Sequence, residues 1–323
     1  MPELFEAYED LDDLAIRLKV ADPGARRVAV IELGNSGDPA AVSYLATLVS
    51  DPDAGVRQQV ALALGEFDGP AAAEVLAALL VDGDEAVASA AADSMAELKD
   101  PASADVLLRL VDNSSAFVRA STLRALKELR RRDSLKPALE ALRDVEPAVR
   151  VQAIGVIGFL KIEEAVPALT AATSDPDTQV RRAAVSSLAF SNVKPATESV
   201  MRALSDKEWQ VRETAAETLG GMKNGLQAAS ALLAVLSDEF WQVRLKSTRS
   251  LGKLKGREAV TAIAANLRHE QANLRKEAAL ALGEIADPAA VPYLECVQND
   301  PDPDVRKSAR WATQQILLSA GSR

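Results

Sequence analysis

A short apolar and basic signature recurs along the chain. A Val-Arg or Leu-Arg pair follows an acidic turn at Val56-Arg57, Val118-Arg119, Val149-Arg150, Val180-Arg181, Val211-Arg212, Val243-Arg244, Leu274-Arg275 and Val305-Arg306. After each arginine the pattern repeats as well. Small residues stand three, four and six positions on, and leucine often stands at the seventh. Glycine stands at the eighth in Gly65, Gly158, Gly220, Gly252 and Gly283. On a helix of 3.6 residues per turn these positions share one face, so each signature predicts a helix with a small-residue packing stripe. Arg27 fits one unit earlier, and Ala88 holds the arginine slot of a degenerate unit. The anchors are then 27, 57, 88, 119, 150, 181, 212, 244, 275 and 306. A period this constant marks a solenoid of stacked repeats.

Each repeat carries two turn signals and therefore two helices. The first helix opens at Asp38-Pro39, Asp100-Pro101 or Asp287-Pro288. There the carboxylate caps free N–H groups, and proline at the first helical position gives up no hydrogen bond. The second opens at Asp51-Pro52-Asp53, Asp175-Pro176-Asp177 or Asp300-Pro301-Asp302 and carries the arginine. With no linker interrupting the period, residues 1–323 read as a single all-α, right-handed solenoid of about ten two-helix repeats and no strand. Ala88 is the expected weak seam. It lacks the repeated arginine, and Asp82, Asp84 and Glu85 crowd its turn.

The segments DPDAGVRQQVALALGEFD (51–68), DPDTQVRRAAVSSLAF (175–190) and KEAALALGEIADPAAVPYLECV (276–297) resemble HEAT repeats. They are most similar to the short-period HEAT-like repeats of the phycobilisome-lyase type, and the likeness spans roughly residues 10–318. The resemblance implies that the turn aspartate of one repeat meets the arginine of a neighbour in a hydrogen-bonded ladder, and that the second helices line a concave face. Members of that branch include bilin-attaching lyases, phycobilisome-degradation factors and adaptors. A solenoid fold by itself names no activity.

Composition narrows the classes. Aromatic residues make up 4% of the chain and apolar residues 48%, as suits closely packed helices with a core of Ala, Leu and Val. No apolar run reaches membrane-spanning length. The opening, MPELFEAYEDLDD, has no export-signal pattern. With one cysteine, this points to the cytoplasm. The net charge is −10, unevenly placed: residues 1–100 hold 20 acidic and 6 basic residues, a net −14. That excludes a general nucleic-acid footprint; the acidic first third reads as a solubilising end, with steering of a basic partner as the alternative. The local run Arg130-Arg131-Arg132 reads as a helix C-terminus complementing the dipole.

Little chemistry is visible. His269, the one histidine, lies in a turn, and Cys296 has no activating base near it in sequence. No phosphate loop, metal set or cofactor is expected. Binding residues are sought instead on the second helices, at positions two before and two, five and nine after the arginine, which face away from the core. These rows place Phe159 and Phe190 on adjacent repeats as the floor of one depression, with Lys246, Arg249 and Lys253 following as a basic group. Phe117 lies on the same face, and Trp209 and Trp241, in matching slots, are expected side by side at the lip. Trp311, Leu317 and Leu318 on the last helix cap the core or form a dimer contact. The leading reading is a non-enzymatic scaffold or adaptor holding another protein in its groove. The alternative, implied by the resemblance, is a bilin or tetrapyrrole lyase or maturation chaperone, with Arg249 and Lys253 meeting propionates.

Overall fold

The computed structural model describes residues 11–223 and 225–321, so most of the acidic opening read for an export signal lies outside it. Among the described residues there are 20 α-helices, several short 3-10 turns and no strand. The packing divides into two units, Met1–Leu160 and Lys161–Arg323. Each is a stack of five helix pairs. In the first unit the second helices are Pro23–Asn35, Ala54–Ala63, Glu85–Met95, Ala116–Leu129 and Pro147–Leu160. In the second unit they are Thr178–Ser187, Trp209–Gly221, Trp241–Lys253, Ala272–Ile285 and Pro303–Gly321. Within each unit neighbouring second helices pack side by side, and the shorter first helices back them. The chain is an all-α solenoid.

The turn chemistry divides its labour between two acids. Asp53 caps Ala54–Ala63, Asp84 caps Glu85–Met95 and Asp177 caps Thr178–Ser187, each through its own carboxylate. The acid two residues earlier, such as Asp51 or Asp82, is left free to reach the preceding repeat. Asp100-Pro101 and Asp287-Pro288 open first helices as expected, starting them as 3-10 turns. The core contains Leu, Val, Ala and Ile at near-zero exposure, for example Val56, Val60, Ala61 and Leu64. The glycines at the eighth position explain how closely the helices approach. A Cβ on Gly252 would lie 2.9 Å from the Ala281 Cα, and one on Gly283 2.7 Å from the Ala312 Cα. Both neighbours are the small residue at the sixth position of the next repeat, so the two patterns in the sequence are two halves of one contact. Four second helices of this period end on a left-handed residue eleven after the arginine, namely Arg130, Lys161, Lys255 and Ala286, at φ 53–54°.

The frame of the first repeat is shifted by one residue from the sequence expectation. Arg26 is buried and occupies the ladder position, while Arg27 is exposed. Two arginines stand in tandem here. The face decides between them, because Ala29, Val30, Leu33 and Gly34 form the buried stripe in register with Arg26. The first spacing then becomes 31, like its neighbours.

The pair Gly220 and Gly221 tests this packing. Gly220→Ala would drive a methyl into Ser250, whose Cα lies 2.9 Å from the new atom, whereas a methyl on Gly221 meets nothing. Overpacking of this kind costs about 1–3 kcal/mol. Urea denaturation is expected to show that loss for Gly220→Ala and no loss for Gly221→Ala.

Candidate functional site

The strongest polar feature is the ladder of arginines. Six described pairs repeat one geometry: Arg26–Asp51, Arg57–Asp82, Arg119–Asp144, Arg181–Asp206, Arg212–Asp238 and Arg275–Asp300. Nε and Nη2 donate to the two carboxylate oxygens at 2.7–3.0 Å, a bidentate fork. Nη1 turns back to the carbonyls five and six residues upstream, as Arg119 does to Asn113 O and Ser114 O at 2.8 and 3.0 Å. The acid also accepts the N–H two residues on, as Asp206 does from Glu208. Up to four of the five N–H donors of the guanidinium plane are therefore directed, and the acid serves two repeats at once.

These contacts hold the acids below the usual carboxylate range. At Asp82, Asp144 and Asp300 the arginine hydrogen bond is the leading cause. At Asp51, Asp206 and Asp238 burial is the largest single influence and pushes upward. The arginine and backbone N–H groups together outweigh it.

The ladder is broken twice. Ala88 lacks the guanidinium, and the residue 25 positions on, where the acid belongs, is Asn113. Arg244 retains the guanidinium, but position 269 is histidine, so Nε turns to Asp238 O instead. Asn113 Oδ1 and His269 Nδ1 still accept the local N–H groups of Ser115 and Gln271. At the first break Glu85–Met95 packs on Ala116–Leu129 more sparsely than any other neighbouring second helices described within a unit. A cleft of about 600 Å³ opens there, lined by Ala88, Ser89, Asn113 and Phe117 among others.

The residues expected to bind are only partly drawn together. At positions five and nine after the arginine Leu62, Glu66, Asp93 and Glu97 face solvent while others, such as Arg124 and Phe190, are half-buried; the positions two after it, Val28 apart, are half-buried or buried. Phe159 is 42% exposed, with Lys127 Nζ 5.2 Å and Arg130 Cζ 5.4 Å from its ring centre, within cation–π reach. Phe117 is 47% exposed and lines the cleft beside Ala88. Phe190 is half-buried in the 3-10 turn Leu188–Phe190. Trp209 and Trp241 are half-buried, and the ring that lies against Trp209 is Phe240, stacked at 5.3 Å and 14°. The expected Trp–Trp lip is thus replaced by a Trp–Phe stack, which Arg212 flanks. The matching slots of the two tryptophans concealed Phe240, one residue upstream, where the next repeat turns toward its neighbour.

Two members of the expected basic group are paired with acids. Lys246 pairs with Glu217 at 2.7 Å, and Arg249 forks onto Glu277 at 3.0 and 2.6 Å. That hydrogen bond, more than any other influence, raises the Arg249 pKa. Glu284 joins the group, its pKa raised first by partial burial and then by Glu277, with Lys253 and Arg249 opposing the rise. Lys253 is exposed, beside a shallow cleft walled by Gly283, Glu284 and Trp311. The one-residue shift to Arg26 also reveals what sequence reading missed in the first repeat: Val28 and Ile31 are 46% and 42% exposed at the second and fifth positions, and Leu62, at the fifth position after Arg57, is 49% exposed.

Other chemistry is sparse. Arg130 ends Ala116–Leu129 as expected, and Arg131 pairs with Asp105 and Asp133. Cys296 is exposed and contacts Pro292 O. Among the described residues no three His, Cys, Asp or Glu side chains converge on a metal position, and no helix is long and apolar enough to cross a membrane.

A family model of HEAT repeats matches the chain in overlapping segments at 11–87, 70–127, 110–189, 135–220, 171–237 and 229–314. The chain belongs to the HEAT-repeat family. Its fold is similar to that of an Escherichia coli protein, YibA, at 16% identity and TM-score 0.62, over 83% of this chain and 97% of that one. It is also similar to an engineered protein at 20% identity and TM-score 0.52, over 95% and 98%. A third similar structure is Kap95p crystallised with RanGDP, at 14% identity and TM-score 0.64. That match covers 95% of this chain and 50% of Kap95p, so the HEAT chain spans about half the length of that protein. At such identities the likeness shows the fold alone. No curated protein sequence matches the chain.

Two outcomes follow from the ladder. A carboxylate whose folded pKa lies below its unfolded value contributes stability above the unfolded pKa and loses it as pH falls through the folded one. Thermal stability is expected to be level between about pH 5 and 8 and to fall steeply below about pH 4. Hydrogen exchange is expected to be fastest, among internal second helices, in Glu85–Met95, where the ladder is missing. Uniform protection over residues 50–300 would show that the broken rung carries no weight.

Proposed function

We propose that this HEAT-repeat chain is a non-enzymatic interaction scaffold that binds a protein on the face formed by its second helices. Phe159 is the central contact of the first unit, and Lys253 and Trp311 are a subsidiary contact of the second. The observation that carries this reading is apolar exposure on the rows facing away from the core. Phe159, Leu62, Ile31 and Val28 each expose more than two fifths of their surface in a chain that has few aromatics. Large apolar groups placed in this way are favoured at protein interfaces, where central aromatics often dominate the binding energy. Lys127 and Arg130 both lie within cation–π distance of the Phe159 ring, so an approaching surface meets an aromatic accompanied by positive charge. The structures of Kap95p with RanGDP and with Nup1 show a similar fold in complexes, which supports reading such a face as one that binds proteins. The anchor spacing of 31 between Arg150 and Arg181 is unbroken, which supports treating the two units as parts of one solenoid.

The tetrapyrrole alternative, and with it the lyase-type branch, gains nothing from the charge arrangement. Arg249, one of the two cations that would meet propionates, is committed to Glu277, while Lys253 is exposed. Partner capture from native lysate, quantified by mass spectrometry with the wild type and Phe159→Ala in parallel, tests the scaffold reading. The variant is expected to keep its cooperative melt and to lose a discrete partner by about tenfold or more, equivalent to about 1.4 kcal/mol. An identical captured set, or a preparation that absorbs visible light, would contradict it.

A further inference from the structure

The broken rung at Ala88 has the shape of a missing guanidinium. In the intact repeats the arginine plane lies in a fixed cradle, which consists of the two carbonyls five and six residues upstream and the carboxylate 25 residues downstream. Seen from Ala88 the corresponding groups are Asp82 O, Gly83 O and the side chain of Asn113. In place of the arginine is the cleft of about 600 Å³. We infer that this cleft is a docking site for an arginine side chain of a partner protein, entering from solvent in the place of the arginine the repeat lacks.

The chemistry of Asn113 favours a foreign arginine over an internal one. Its Oδ1 accepts the Ser115 N–H at 2.9 Å, and this fixes which end of the amide is oxygen. In the intact rungs that oxygen is the one that also receives Nη2, as Asp144 Oδ1 does from Arg119 at 2.8 Å. The other carboxylate oxygen, which receives Nε, is replaced here by an amide NH2. An arginine at position 88 would bring its Nε against that donor. An arginine entering with its Nη groups foremost uses only the acceptors that remain, namely Asn113 Oδ1 and the two carbonyls, and leaves Nε toward solvent.

Three further features suit such a guest. Phe117, 47% exposed, lines the cleft and offers an aromatic surface against which a guanidinium or its stem can rest. Val81, 51% exposed, offers apolar wall to the methylenes. The turn carries Asp84 and Glu85, within the first hundred residues whose net charge is −14. A positive guest is therefore attracted before it docks. Lysine fits less well, because a single ammonium cannot span the carbonyl pair and the amide oxygen as a plane does. The site shares no residue with the Phe159 surface, and a synthetic probe judges it whatever the fate of that reading.

The test uses the whole chain, isotopically labelled, and a short peptide with one arginine in an uncharged Gly–Ser background. Amide NMR shifts are expected to saturate at Ser89, Ser114 and Phe117. The affinity is expected to fall by about tenfold or more when citrulline or lysine replaces the arginine. The double variant Ala88→Arg with Asn113→Asp rebuilds the rung and is expected to abolish those shifts while raising the melting temperature. Phe117→Ala, which alters only an exposed ring, is expected to weaken binding with an unchanged melt and serves if the double variant folds poorly. Equal binding of lysine and arginine peptides would reduce the site to general acidic attraction and overturn the proposal. Shifts spread over the acidic surface, absence of shifts, or undiminished binding by a folded double variant would overturn it as well.

Discussion

The structure depends on one constraint: the donors of a buried guanidinium must be directed to acceptors. Each ladder arginine meets that demand with groups from two places, the carbonyls of the turn before its own helix and the acid of the following turn. Because the plane is rigid and bidentate, these groups can satisfy it in only one relative position of two repeats. Taking the pair out of water costs much of what the attraction returns, so its net contribution to stability is modest. Its larger effect is on register. Sliding one repeat against the next would leave a charged group buried without a partner, a penalty several times the net value of the pair.

Register fixed at the turn is carried down the helix by sterics. Eight residues after the arginine, glycine brings one helix against the small residue six after the next arginine, and no methyl fits between Gly252 and Ala281. Polar clasp and apolar approach are thus two ends of one contact. The acid of the clasp also closes its own turn by accepting an N–H, so the same side chain sets where the second helix begins. At Asn113 and His269 the turn function survives and the clasp does not. The two roles are separable, and the local turn persists without the inter-repeat charge.

The period and the helix pairs were readable because each rests on local chemistry repeated ten times. What escaped reading rests on contacts between repeats. Arg26 and Arg27 are indistinguishable as a tandem pair until the buried stripe of Ala29, Val30 and Leu33 is in view. The Trp209–Phe240 stack joins two slots that do not match in number, so aligning repeats slot by slot pairs Trp209 with Trp241 instead. The basic group of Lys246, Arg249 and Lys253 looked free because Glu217 and Glu277 approach it from neighbouring helices 28 or 29 residues away in sequence. The Ala88 defect was visible alone, but its second half, Asn113, becomes visible only once the 25-residue step of the ladder is known.

The central claim is that arginine and acid act as one unit between repeats. A double-mutant cycle on Arg181 and Asp206, whose side chains are nearly buried, measures this directly. Arg181→Ala, Asp206→Ala and the double variant would be unfolded in urea. The account predicts a coupling energy of about 2 kcal/mol, with the double variant much less destabilised than the sum of the singles. Additivity of the two single losses to within about 0.5 kcal/mol would contradict it.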